Sequence, residues 1–143
     1  MARSDFDLPG YGIADLVWIS WKSSQNEQEG TAIGCEKRET VRVLAFEMKI
    51  KDWRGALQQA FRYSYFADQS IVVLPPSTAS KALAFKEEFR VFGIGLWSFD
   101  PKSGLIRTLV APQRTKARSD LARKKAITSL LGSSEFGQFC KTR

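Results

Sequence analysis

The sequence predicts an α/β domain, a mixed central sheet flanked by helices, and three observations carry that expectation. Two apolar stretches, residues 13–21 and 41–50, alternate with a period of two, as half-buried strands do. A stretch of helical period, 53–67, separates the second of them from a short apolar run at 70–74, the layout of a parallel crossover. The chain has 143 residues and is 43% apolar, enough for one core that buries roughly 68% of its unfolded surface.

The elements follow in order. The first twelve residues end in Leu8-Pro9-Gly10-Tyr11-Gly12, a turn-forming stretch. Residues 13–21 (IADLVWISW) read as a strand with Ile13, Leu16 and Trp18 in phase and one shift near Asp15. Residues 22–30 are polar and end in glycine, a surface hairpin loop, and 31–35 form a short strand. In 41–50 (VRVLAFEMKI), Val41, Val43, Ala45, Glu47 and Lys49 share one face, and Leu44, Phe46, Met48 and Ile50 the other. Over 53–67 the apolar stripe is Trp53, Ala56, Leu57, Ala60, Phe61 and Ser64, with Gln59 and Tyr63 one turn apart on its flank.

The strand at 70–74 stops at Pro75-Pro76. A second helix is expected over 77–89, capped by Ser77 or Thr78, then a strand over 91–99, a turn at 100–104 and a returning strand at 105–110. The order is β-β-β-α-β-α-β-β with one parallel crossover after Ile50. Residues 1–112 are thus expected as the core domain, and Trp18, Trp21, Trp53 and Trp97 as members of its core. Residues 113–143 form a basic C-terminal helical segment, an appendage rather than core. It holds Arg114, Lys116, Arg118, Arg123, Lys124 and Lys125 against Asp120, with a helix over 120–131 closed by Gly132.

Composition then narrows the chemistry. Lys+Arg number 22 and Asp+Glu 15, a net charge of +7, which favours polyanionic partners. There is no histidine, so Ser-His-Asp and Cys-His catalysis, histidine-ligated zinc and histidine general bases are excluded. Cys35 and Cys140 lack paired spacing and read as free thiols in a reducing compartment. The longest nearly unbroken apolar run, 91–99, is far below the ~18 residues of a bilayer span, and no signal-type segment opens the chain. A cytoplasmic (intracellular) protein with no membrane association is expected.

One ordered series can supply hydrolysis without histidine: Asp15 in a strand, Glu47-x-Lys49 in a later strand, and Gln59-x-x-x-Tyr63 on the next helix. Two carboxylates from neighbouring strands can hold a hard dication such as Mg²⁺, which takes oxygen ligands. Such an ion polarises a phosphodiester and lowers the pKa of a bound water. A lysine two residues beyond a carboxylate points to the same strand face, where its ammonium can steady the attacking water or the developing charge.

In these residues the sequence resembles the PD-(D/E)xK nucleases, with their restriction-endonuclease-like fold. The matched elements are Gly12-Ile13-Ala14-Asp15-Leu16-Val17, Phe46-Glu47-Met48-Lys49, Gln59-Ala60-Phe61-Arg62-Tyr63 and the strand Ile71-Val72-Val73-Leu74-Pro75, over about residues 10–100. The resemblance implies that Asp15, Glu47 and the Met48 carbonyl hold Mg²⁺ or Mn²⁺, that Lys49 is the catalytic lysine, and that Gln59 and Tyr63 orient and support the site. The implied activity is metal-dependent hydrolysis of DNA phosphodiesters. Lys51, Arg54, Arg62, Arg118 and Lys124 are the candidate phosphate contacts. The family's helix ahead of the first acidic strand has no counterpart in the residues before Asp15: either it is absent, or a second chain, as in a homodimer, or a larger parent protein supplies it. The competing expectation is a catalytically inactive nucleic-acid-binding or protein-interaction module with the same fold.

Overall fold

In a computed structural model, which describes residues 1–22 and 40–139, six strands form one sheet in the order β1-β2-β3-β4-β5-β6. The strands are β1 (Ala2–Leu8), β2 (Gly12–Lys22), β3 (Thr40–Met48), β4 (Gln69–Leu74), β5 (Gly95–Asp100) and β6 (Leu105–Val110). The helices are α1 (Trp53–Tyr63), α2 (Pro76–Leu83), α3 (Lys86–Phe92) and α4 (Asp120–Phe139). Pairs β1–β2, β2–β3 and β5–β6 are antiparallel, while β3–β4 and β4–β5 are parallel. The sheet is mixed, as the sequence predicts. It holds two parallel crossovers, through α1 and through α2 with α3, where the sequence reading has one. The short strand expected at 31–35, the loop beyond Lys22, Cys35 and Cys140 lie outside the described residues. Among the described residues no helix is long and apolar enough to cross a membrane.

Three elements differ from expectation, each for a physical reason. Strand β1 has no clear signal in the sequence, because ARSDFDL interleaves charges with apolar residues and buries only Phe6 and Leu8. That is the composition of a protected edge strand. The helix expected over 77–89 is two helices that break at Ala84 and Phe85. The strand expected from residue 91 begins at Gly95, since Val91 and Phe92 complete α3 and Gly93 caps it in the left-handed region at φ 70°. A continuous apolar run has no period to separate a helix end from a buried strand.

Two clusters of buried side chains make the core. One joins Val17, Ile19, Val43 and Ala45 of the sheet to Tyr63, Phe66 and α4. The other joins Val72, Leu74 and Leu96 to Trp53, Leu57 and Ala60 of α1, with Ala79, Ala82 and Phe89 beyond. The register places Val17 against Ala45, Ala45 against Ser70 and Val72 against Leu96, so these residues share one face of the sheet. All four helices therefore pack on that face. The other face carries Leu16, Trp18, Leu44, Phe46, Met48 and Trp97. Trp18 is 50% exposed there, which removes it from the expected core, whereas Trp53 is buried.

The segment expected as an appendage is stitched into the first cluster. Ala122, Ala126, Ile127, Leu130 and Leu131 form the buried stripe of α4, which is interrupted at Gly132 (φ 73°). Alanines give a weak hydrophobic signal but allow close packing on a sheet. Arg123, counted in the basic cluster, instead binds both carboxylate oxygens of Asp68 at 2.9 and 3.1 Å and the Val41 carbonyl at 2.7 Å.

Candidate active site

The site forms where β3 ends. Val43, Ala45 and Glu47 alternate onto the helix face, and the same pleat that buries two apolar side chains also buries a carboxylate that is only 1% exposed. An isolated buried carboxylate is costly, so the neighbours of Glu47 are informative. Lys49, two residues on and on the same face, brings Nζ to 2.7 Å from Oε1. This is an ion pair off the hydrogen-bonding directions, and Oε1 has no well-directed donor. The carboxylate of Glu47 holds the Lys49 ammonium above the ordinary lysine range, opposed by partial burial and reinforced by Asp15 and Asp52.

Tyr63 contacts the other oxygen. It lies at the C-terminal end of α1, and helical side chains lean toward the helix N-terminus, here back toward the end of β3. Its hydroxyl stands 2.5 Å from Glu47 Oε2 and 2.6 Å from the carbonyl oxygen of Ile13 on β2. A phenol has one proton, so it donates to only one of these acceptors at a time. Burial, then the bond to Glu47 and its charge, push the Tyr63 pKa far above the usual phenol range.

Asp15 arrives by a break in the pleat. Ala14, Val17 and Ile19 all face the helix layer, so β2 changes phase between Ala14 and Val17. The register from Ser4–Leu16 to Phe6–Ala14 sets Asp5 across from Asp15, and Asp5 is the one non-glycine residue with positive φ (48°) among those described. Such irregularities re-aim side chains. The Asp15 side chain reaches across to β3, where Oδ2 accepts the Met48 N–H at 2.6 Å. Within an extended residue N–H and C=O lie on the same edge, so the Met48 carbonyl also faces the Asp15 side.

Asp15, Glu47, Lys49 and Tyr63 thus converge, with the Met48 backbone beside them. Gln59, one turn before Tyr63, is half-buried and makes no side-chain hydrogen bond among the described residues. Lys51 is exposed in the connection from β3 to α1. Arg54 is held on aromatic faces, its guanidinium carbon 4.3 Å from the ring centre of Trp53 and 4.9 Å from that of Phe85. Arg62 is exposed in the last turn of α1, and the guanidinium of Arg118 sits 4.7 Å over Phe61. Lys124 lies apart on α4, lining a hollow of about 570 Å³ with Leu121 and Lys125. The five candidate phosphate contacts therefore divide, and only Lys51 and Arg54 adjoin the end of β3. Sequence reasoning missed the Ile13 carbonyl, because a backbone acceptor leaves no signature in residue type.

The donor set fits a hard dication in its chemistry. It offers two carboxylates and a carbonyl, all oxygen, and an ammonium already occupies cation-binding space at Glu47 Oε1. Among the described residues no group of three or more His, Cys, Asp or Glu side chains is placed to hold a metal. Mg²⁺ needs only one or two protein carboxylates, so two suffice. No family model, curated protein or solved structure matches the chain.

Proposed function

We propose that the chain is a divalent-metal-dependent nuclease that hydrolyses phosphodiester bonds of DNA, built on a restriction-endonuclease-like core. The observation that carries this reading is the meeting of Asp15, Glu47 and Lys49, distant in sequence, at one strand end. Asp15, Glu47 and the Met48 carbonyl would hold Mg²⁺ or Mn²⁺, which supplies electrophilic activation of the phosphodiester when bound. Lys49 neutralises charge that develops on the scissile phosphate, since its ammonium sits against the Glu47 carboxylate and within the field of Asp15. Tyr63 holds the Glu47 carboxylate in place when its one proton is given to Oε2, with the Ile13 carbonyl of β2 as the alternative acceptor. Gln59 lies within a helical turn of that cluster and orients the backbone of the substrate. Lys51 and Arg54 take flanking phosphates, and Arg54 is preordered for this by its aromatic platform.

Incubation of the purified chain with plasmid and linear DNA and Mg²⁺ or Mn²⁺ tests the proposal. Cleavage abolished by chelation and by Lys49→Ala supports it, and cleavage unchanged by Lys49→Ala refutes the assignment.

A second reading, a catalytically inactive nucleic-acid-binding or protein-interaction module, draws on one observation. Both oxygens of Glu47 are already engaged by Lys49 and Tyr63, and the carboxylate is buried. DNA binding with a steep salt slope, but no metal-dependent heat, is its expected signature.

A further inference from the structure

Among the described residues, both oxygens of the Glu47 carboxylate are covered. Oε2 is covered by the Tyr63 hydroxyl, and Oε1 is sealed beneath the Lys49 ammonium at 2.7 Å, in a residue only 1% exposed. The Lys49 side chain, by contrast, is 36% exposed, and its Nζ makes no hydrogen bond to another partner among the described residues. One end of the pair is buried, and the other is partly open to water. We propose that Lys49 is an internal counter-ion that plugs the metal site: a dication enters only by displacing the ammonium from Glu47 Oε1, and the freed Lys49 is then available to the phosphate. This inference rests on the nuclease reading and adds an order of events to it.

The physics favours exchange over addition. An ammonium and a dication compete for one buried carboxylate oxygen, and leaving that oxygen with neither carries the penalty of an unpaired buried charge. A compact cation on a flexible four-carbon stem can swing outward without moving the backbone. The apparent metal affinity of the wild-type chain is therefore lowered by whatever holds Lys49 in place, as for any site whose competent state is a fraction of the whole.

The test is Mn²⁺ binding to the full chain, followed by loss of the free-ion electron paramagnetic resonance signal, in wild type, Lys49→Met and Lys51→Met. The proposal predicts that Lys49→Met binds Mn²⁺ about tenfold more tightly than wild type. Lys51→Met, which removes the same charge two residues away, should change affinity by less than about twofold. Equal or weaker binding by Lys49→Met, or an equal gain in both variants, overturns the plug while leaving the metal site standing. No Mn²⁺ uptake by any of the three overturns the nuclease reading as well. Amine labelling of Lys49 in the unmutated chain gives a check independent of variant folding. Its rate should rise several-fold on addition of Mg²⁺, and an unchanged rate in the presence of bound metal contradicts the displacement.

Discussion

The Tyr63 hydroxyl stands 2.5 Å from Glu47 Oε2 and 2.6 Å from the Ile13 carbonyl oxygen, so one proton on α1 is shared between an acceptor on β3 and one on β2. Tyr63→Phe keeps the ring in the core and deletes only the hydroxyl. It removes the single donor that the buried carboxylate oxygen and the Ile13 carbonyl share, which costs about 1–3 kcal/mol. Urea denaturation should show a lower midpoint with an unchanged slope. An unaltered midpoint would mean that the hydroxyl contributes nothing.

Stability should fall on the alkaline side. Lys49 and Tyr63 both hold their protons more tightly folded than unfolded, Lys49 through the Glu47 carboxylate and Tyr63 mainly through burial. Each contribution is complete below the unfolded pKa, near 10 for both side chains, and is lost as pH rises through the higher folded value. Denaturation midpoints should hold steady from about pH 7 to 9 and decline above about pH 10. The decline should be shallower in Tyr63→Phe, and identical pH profiles would contradict the linkage.

Arg123 and Lys124 are neighbours in sequence with separate tasks. Arg123→Met removes a bidentate pair with Asp68 and a bond to the Val41 carbonyl, in a pair about four-fifths buried, and should cost about 2–4 kcal/mol in a thermal melt. Lys124→Ala should leave the melt within about 0.5 kcal/mol of wild type. The DNA contact that the sequence suggests at Lys124 requires that same variant to lower the salt slope of binding by about one.

Much of this architecture was legible because the pleat and the helical period are written in side-chain type. Val43-x-Ala45-x-Glu47-x-Lys49 shows as one face in the sequence and is one face in the fold, and the shift near Asp15 is a real change of phase. Other features left no such trace. Phe6 and Leu8 are too few to announce β1 among its charges, and the alanine stripe of α4 is too weakly apolar to look like core. Arg123 could not be told from its basic neighbours, because its partner Asp68 is 55 residues away in sequence. The meeting of Asp15 with Met48 depends on strand register, which residue type does not encode.

Gly55 gives a prediction against simple propensity. Alanine in a helix is worth about 1 kcal/mol over glycine. A Cβ at Gly55, however, would stand 2.2 Å from Oδ2 of Asp52, whose Oδ1 caps α1 by accepting the Gly55 N–H at 2.9 Å. Displacing that cap costs about 0.5–2 kcal/mol. Gly55→Ala should therefore bring no gain in melting temperature, whereas the same change made in an Asp52→Ala background should stabilise. A clear gain in the single variant would show that the cap survives.

The most direct measurement is anomalous diffraction from crystals of the full chain soaked in Mn²⁺. The account predicts one peak in contact with the carboxylates of Asp15 and Glu47, with Lys49 turned away from Glu47. Saturated crystals with no peak there, and with the ammonium still seated on the Glu47 carboxylate, would contradict it.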